Sequence, residues 1–405
     1  FTSFALQQAI FQHHHFTLTC PAEAIDGSGP ILQQSKQLIG SEIQVKINAK
    51  EVPGQLSFKG VITEVRSSRY AGFAGDIILS GYSPTIVLDS GPHCKSWEKL
   101  PVKKIAQDVL KHFPSNLLNP KVSPLNGETL SYTVQYKETA WQFLSRISAA
   151  HGEWFFYDGE KLVLGPPLSN KNARLIYNEN LNRFNMALEL RPASFSGLAY
   201  NYMDHSFYSS NPQEIESKAG LSSDGKLVLQ KSRELFGTQP KAWYNQFFAK
   251  NTQLDHMINT KASLSASNMV RFDGESGQPG LHVGGIVSVS GKNALAAYAD
   301  ESFGDYTVVN ITHQLDGKGN YINQFTAIPS SIKNPPAGII PEPVCETQSA
   351  IVKENNDPKG LGRVRVKFHW MNGSELSPWM RIVHPHAGGG KGAFFVPEKE
   401  EEVII

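Results

Sequence analysis

The stretch that most constrains this chain is its C-terminal one, where DPKGLGRVRVKFHW (residues 357–370) is followed by SPWMRIVHPHAGGGKGAFFVPEKEEEVII (residues 377–405). Residues 363–370 alternate polar and apolar, the period-2 signature of a half-buried antiparallel strand. Arg363, Arg365 and Lys367 form a basic face; Val364, Val366, Phe368 and Trp370 form an apolar one. Asp357-Pro358-Lys359-Gly360 reads as a turn, and Met371-Asn372-Gly373-Ser374 as a reversal of Asn-Gly type. A further short strand is expected at 379–383, a glycine-rich bend at 387–392 before Phe394-Phe395-Val396-Pro397, and a last strand at 402–405. Short strands with Gly and Pro corners predict a small barrel of OB type.

The order Asp-Pro-x-Gly-x-Gly-Arg-Val-x-Val-x-Phe-x-Trp, a Trp-x-Arg strand, Pro-x-Ala-Gly and a Phe-x-Pro closely resembles the OB domain of VgrG proteins. These are the spike proteins of type VI secretion systems, related to the hub and spike of contractile phage tails. Two departures bear on the subfamily more than on the fold. Pro385-His386-Ala387-Gly388 stands where relatives carry Pro-Trp-Ala-Gly, and Glu400-Glu401-Glu402-Val403 stands where many have Gly-x-Glu-Val.

The rest of the chain carries the same resemblance. Ala140, Phe143, Leu144 and Ile147 make a helical stripe behind a Thr139 N-cap, with Gly152 just past the end. Trp154-Phe155-Phe156-Tyr157 and Lys161-Leu162-Val163-Leu164 flank Asp158-Gly159, which predicts a type I′ hairpin. This helix and hairpin resemble a unit of the VgrG hub, and residues 278–285 and 304–313 resemble its later strands. Alternating runs at 42–47, 56–65 and 76–79 announce a first β-rich barrel, and helices are predicted at 102–113, 139–151 and 251–267.

The fold expected is therefore mainly β with a few helices: phage-hub-like tandem β-barrels, then a small OB-fold barrel. Residues 1–333 form the hub-like region with two barrel subdomains, discontinuous in sequence if need be. Residues 334–343, Asn-Pro-Pro-Ala-Gly-Ile-Ile-Pro-Glu-Pro, form a semi-rigid extended linker. Residues 344–405 form the OB domain, expected to be C-terminally incomplete and to lead into a β-helical needle.

Composition narrows the function classes. The 405 residues predict two to three domains, and a net charge of +1 supplies no bulk attraction to nucleic acid or anionic membrane. No apolar run reaches the roughly 18 to 20 residues that span a bilayer, and residues 1–16 lack a secretory leader's basic start and cleavage signal. Cys20, Cys94 and Cys345 are three thiols at wide spacing, read as buried and free in a reducing compartment. The missing initiating Met and the end inside a strand lead us to expect truncation at both termini.

Chemistry is scarce. There is no His-Glu-x-x-His, no Gly-x-Ser-x-Gly and no phosphate loop. In Gly388-Gly389-Gly390-Lys391-Gly392 the last glycine stands where Ser or Thr should follow the Lys, so a barrel loop is the better reading. His384 and His386, with His369, permit a metal site on paper, but two histidines without an assigned third ligand read better as surface or interface residues. His13-His14-His15 is weaker still, since strand neighbours point to opposite faces. The basic face with Phe368 and Trp370 suits single-stranded nucleic acid, yet those aromatics share parity with the buried valines, and Glu398 to Glu402 adds compensating acid. Trp154 to Tyr157 is read as packing on both sides of a sheet rather than as a sugar platform. Asp204 and Glu214 flank no recognisable cleft. No catalytic, cofactor-binding or metal residue is nominated, and the chain is not expected to be an enzyme or to bind nucleic acid.

What the resemblance implies is mechanical: a homotrimeric spike hub whose two similar barrels per subunit give a pseudo-sixfold face that stacks on the hexameric Hcp tube. Baseplate components, a PAAR-type tip protein and effector cargo are the implied partners, with transient contact to a target envelope. Assembly would be cytoplasmic and export through the apparatus. The alternatives are a hub of a phage tail or extracellular contractile system, a spike with an enzymatic domain beyond residue 405, and an OB nucleic-acid module.

Overall fold

The computed structural model describes residues 1–49, 52–69, 75–167, 171–293, 299–338 and 340–405. Ile339, within the expected linker, lies outside the described residues.

One sheet of 11 strands dominates. Its path runs Leu181–Leu188, Val270–Ser276, Tyr321–Pro329, Ala299–Asp316, Ser3–Ala9, His15–Pro21, Asp76–Tyr82, Val52–Ser68, Glu42–Ala49. Ile286–Asn293 adds to the long Ala299–Asp316 strand, and Lys171–Ile176 lies parallel to Ile286–Asn293. The N-terminal strand stitches the halves together, since Leu6 faces Phe16 on one side and His313 on the other.

The mainly β architecture with a few helices matches expectation, but among the described residues backbone pairing closes no barrel. Ser3–Ala9 uses one edge on each half, so the first half has no free edge there for Glu42–Ala49 to meet. The second half comes within one isolated bridge, Tyr177 to Leu181, of closing. Bulges between Ile62 and Glu64 and between Val308 and Asn310 interrupt the two longest strands, of 17 and 18 residues, the device by which long strands bend.

Each half buries its own core. Phe4, Leu6, Phe16, Phe58 and Ile77 fill the first; Phe272, Tyr306, Val308 and Phe325 fill the second. A third core lies among Val102–Leu110, Ala140–Ala150 and the His93–Pro101 strand, where Trp97 stacks on Phe143 at 5.1 Å. The aromatic run serves all three: Trp154 and Phe156 enter the second core, Phe155 the third and Tyr157 the first. All four are essentially fully buried, which leaves none for a sugar platform.

Of the predicted helices, Val102–Leu110, Ala140–Ala150 and Asn251–Ala266 are present. Thr139 forms a full capping box with Gln142. The 13-residue helix Ser223–Leu235 escapes the pattern because Asp224-Gly225 reads as a turn; Ser222 instead caps it by accepting from the Gly225 amide.

Several local expectations are corrected. In the Phe155–Tyr157 to Leu162–Leu164 hairpin, the Asp158 amide donates to the Lys161 carbonyl, so Gly159 and Glu160 are the central residues. Only Gly159 takes positive φ, 109°, which is the II′ rather than the I′ pattern. Residues 278–285 form a loop, whereas 304–313 do lie in a strand. In the C-terminal region the strand at 363–370 shrinks to Arg365–Phe368, and that at 379–383 to a single bridge between Val364 and Met380. Arg365–Phe368 and Glu402–Ile404 both pair with Ser349–Glu354 over a small core of Ala350, Val352, Val364 and Val366. The glycine-rich bend is a tight ribbon, Ala387–Gly388 against Lys391–Gly392, with no helix following it. The cysteines are free but not buried: Cys345 is exposed, and Cys20 and Cys94 are half-buried.

Candidate functional site

The side chains that tie residues 344–405 to the rest of the molecule form the most distinctive constellation, and it begins with the turn at 357. Asp357 accepts from the amides of Lys359 and Leu361 through its two carboxylate oxygens, which folds the Pro-Lys-Gly-Leu-Gly stretch back on itself. Gly362 sits at φ 63°, in the left-handed region that favours glycine, and a Cβ there would push the exposed Phe394 ring aside. The Arg363 guanidinium then grips Asp357 with two bonds of 2.8 Å, Nε to Oδ2 and Nη2 to Oδ1. Both side chains are buried, and the Arg363 bond holds the Asp357 carboxyl well below the usual carboxylate range.

From that grip, contacts reach the larger region at two places. Arg363 Nη1 donates to Tyr202 Oη at 3.4 Å, and the Arg381 guanidinium lies 4.3 Å above the Tyr202 ring. On the other side, Arg365 Nη2 donates to Glu98 at 2.6 Å, while Glu375 accepts from both the amide and the hydroxyl of Ser96 at 3.2 Å. Lys137 Nζ donates to Glu346 at 2.6 Å, and Tyr136 Oη donates to the same carboxylate. The two-stranded sheet of His93–Pro101 and Thr129–Glu138 thus serves as the seat for the C-terminal region.

The basic face read from the sequence is therefore not a free one. Arg363 is committed to Asp357, Arg365 to Glu98 and the Ser377 carbonyl, and Lys367 to the Gly373 carbonyl. Phe368 and Trp370 stack on each other at 5.5 Å and are half-buried. Periodicity exposed the two arginines as a pair; their partners across the molecule, Glu98 and Tyr202, carry no local signal, because they meet only through tertiary folding.

The histidines scatter. His369 and His386 are exposed, and the His384 ring packs on Phe394 at 4.6 Å. His13 bonds to Thr85 and Asp89, while His14 is fully buried against Gln8. Asp204 accepts from Asn201, within its own turn. Among the described residues no group of three or more His, Cys, Asp or Glu is placed to hold a metal ion, and no helix is long and apolar enough to cross a membrane. A groove of about 470 Å³ runs beneath the Pro-rich segment, between Ile340, Pro341 and Pro343 on one wall and Phe11, Tyr136 and Trp141 on the other. No nucleophile and base meet there. The arrangement is one of attachment: the Asp357–Arg363 pair braces the turn within the C-terminal region, and the bonds to Tyr202, Glu98, Ser96, Tyr136 and Lys137 hold that region on the rest of the chain.

Comparison with known proteins places the same two parts in the same order. Residues 8–319 match the phage tail baseplate hub family, and residues 348–405 match the type VI secretion system/phage-baseplate injector OB domain. Among curated relatives, the type VI secretion system spike proteins VgrG1c and VgrG1a of Pseudomonas aeruginosa are 22% and 23% identical, over 88% and 91% of this chain. The chain spans 52% and 60% of their lengths. Its fold is similar to that of the Escherichia coli c3393 protein, described as a type VI secretion component resembling the T4 tail proteins gp27 and gp5. That similarity has a TM-score of 0.59 at 16% identity and covers 93% of this chain and 89% of the other.

Proposed function

Because the chain belongs to the VgrG family, built on the phage tail baseplate hub and its injector OB domain, we propose that it is the hub and collar of a contractile injection spike. The observation that carries this reading is the hub and OB parts in series, held together by Arg363 on Tyr202, Arg365 on Glu98 and Glu375 on Ser96 rather than by the 334–343 segment alone. A device driven tip-first through an envelope must resist axial load, and β-structures interlocked by buried polar bonds do so better than helices joined by loops.

In this reading residues 1–333 are the hub, 334–343 the linker and 344–405 the collar. The working unit is a homotrimer whose hub face stacks on the hexameric Hcp tube, seated in the baseplate before firing. A PAAR-type protein caps the far end, effectors ride with the tip, and the particle leaves the cytoplasm through the apparatus itself. The chain is a structural component and not an enzyme; any catalysis belongs to cargo or to a further domain. The test is the mass of the complete gene product by light scattering. Three subunits are expected, followed by retention on assembled tube rings. A stable monomer would overturn the spike reading and favour the OB region as a separate binding module.

A further inference from the structure

We propose that Asn126, His151 and His256 form a proton-sensitive latch that holds the 123–128 loop against two helices and opens on acidification. This goes beyond the spike reading and does not depend on it.

The argument rests on which atoms can donate. The Asn126 Oδ1 accepts from the Glu128 amide at 2.8 Å, which fixes the orientation of the side-chain amide. Its Nδ2 therefore donates, and it faces two imidazole nitrogens: His256 Nε2 at 3.0 Å and His151 Nδ1 at 3.4 Å. Both nitrogens must be unprotonated to accept. One NH₂ group thus bridges the C-cap of the Ala140–Ala150 helix, where His151 sits, and the Asn251–Ala266 helix, which carries His256. The backbone of Asn126 adds a third tie by donating to Glu153 Oε1 at 2.7 Å. Adding a proton to either imidazole turns an acceptor into a donor aimed at a donor. Turning the Asn126 amide over to relieve that conflict would point its NH₂ at the Glu128 amide.

The charged surroundings decide the direction. Burial, reinforced by His256, holds His151 down to about 4, against a weaker opposite pull from Glu128. Glu153 is 2% exposed, its Oε2 has no partner, and burial pushes its carboxyl up. Arg146, Lys261, Glu128 and Glu342 line the same groove, of about 570 Å³. The Glu128 carboxylate already accepts from Gln253. A helix C-terminus favours a cation, but at His151 burial outweighs it. Since the folded value lies below the free one, the latch is closed above the free histidine value and is weakened as pH falls through that value toward about 4. The site also abuts the exit to the linker, because the Gly152 carbonyl accepts from Asn334 Nδ2 at 3.0 Å.

Hydrogen exchange by mass spectrometry on the whole chain, corrected for intrinsic rates, reads the latch directly, because the Asn126 and Glu128 amides are bonded only within it. Between pH 7.5 and 5.0 the peptide covering residues 123–130 is expected to lose protection by about tenfold, while the Phe272 and Phe325 strands stay protected. In a His151→Gln/His256→Gln variant that pH dependence should vanish. Unchanged protection of 123–130 across this range in the unmodified protein overturns the proposal. So does a pH dependence that survives in the folded double variant. Should the double variant not fold, His151→Gln alone is diagnostic, since this is the imidazole that burial holds below its free value, and the pH dependence at 123–130 should fall away with it.

Discussion

Arg363 shows how far a single residue can be read from sequence. Its place in an alternating run assigns it to the polar face of a strand, and that parity is right, since Val364 and Val366 are buried on the other side. Parity cannot foresee that the polar face is covered. Arg363 is 5% exposed because Asp357, six residues earlier, turns the chain beneath it, and Tyr202 closes over it from far away in sequence. Removing one partner of such a pair strands the other charge. Arg363→Ala is therefore expected to destabilise the C-terminal region by about 3–5 kcal/mol, read as a lower urea midpoint of the Trp370 and Trp379 fluorescence transition. A loss under 1 kcal/mol would mean that water reaches Asp357 and that the pair holds nothing together. The acid limb should move too. The Asp357 carboxyl lies below its unfolded value, so its contribution is full at neutral pH and is lost as pH falls below the usual carboxylate range; the variant should lack that part of the acid transition.

At the scale of elements, local signals were legible wherever the chain decides locally. The Thr139 N-cap, the Ile77 and Leu79 alternation and the place of the aromatic hairpin, though not its turn type, all follow from spacing. Ser3–Ala9 was not legible, because its importance lies in its two neighbours rather than in its own pattern. This strand carries Gln8 into a buried polar chain: Nε2 donates to His14 Nδ1 at 3.1 Å, and Oε1 accepts from His313 Nε2 at 3.1 Å. Tyr321 Oη completes it at 2.7 Å from His313 Nδ1. The His-His-His run looked unpromising because neighbours alternate faces, yet that alternation is what delivers His14 alone to the seam. Burial holds His14 and His313 down to about 3, so both are neutral in the folded chain and would charge on unfolding. Stability is then full above the free histidine value and falls as pH drops toward 3, by about 1.4 kcal/mol per pH unit for each. Urea midpoints at pH 7.5 and 5.0 should differ accordingly, with His151 adding in the same direction. Identical midpoints would show that the seam takes up protons without opening.

For the whole molecule, a hub-like region and an OB domain were recognisable as parts, but their mutual fixation was not, since the ties described above join residues more than a hundred apart. Ser96, Glu98, Tyr136 and Lys137 lie on one two-stranded sheet and meet Glu375, Arg365 and Glu346 across it. The two ion pairs among them, Arg365 with Glu98 and Lys137 with Glu346, are reached by water and of a kind that contributes about 0–1 kcal/mol each to stability, so their value here is geometric. A Glu98→Ala/Glu375→Ala variant should unfold within about 1 kcal/mol of the parent. It should nevertheless release residues 344–405 to swing on residues 334–343, and the readout is the rate of limited proteolysis in that segment, expected to rise severalfold while the cores stay intact. Equal cleavage rates in parent and variant would assign the fixation to the Arg363, Tyr202 and Arg381 contacts instead. Tyr202→Ala would then be the substitution that frees residues 344–405, because it removes the hydrogen-bond acceptor for Arg363 and the ring beneath Arg381 in one step.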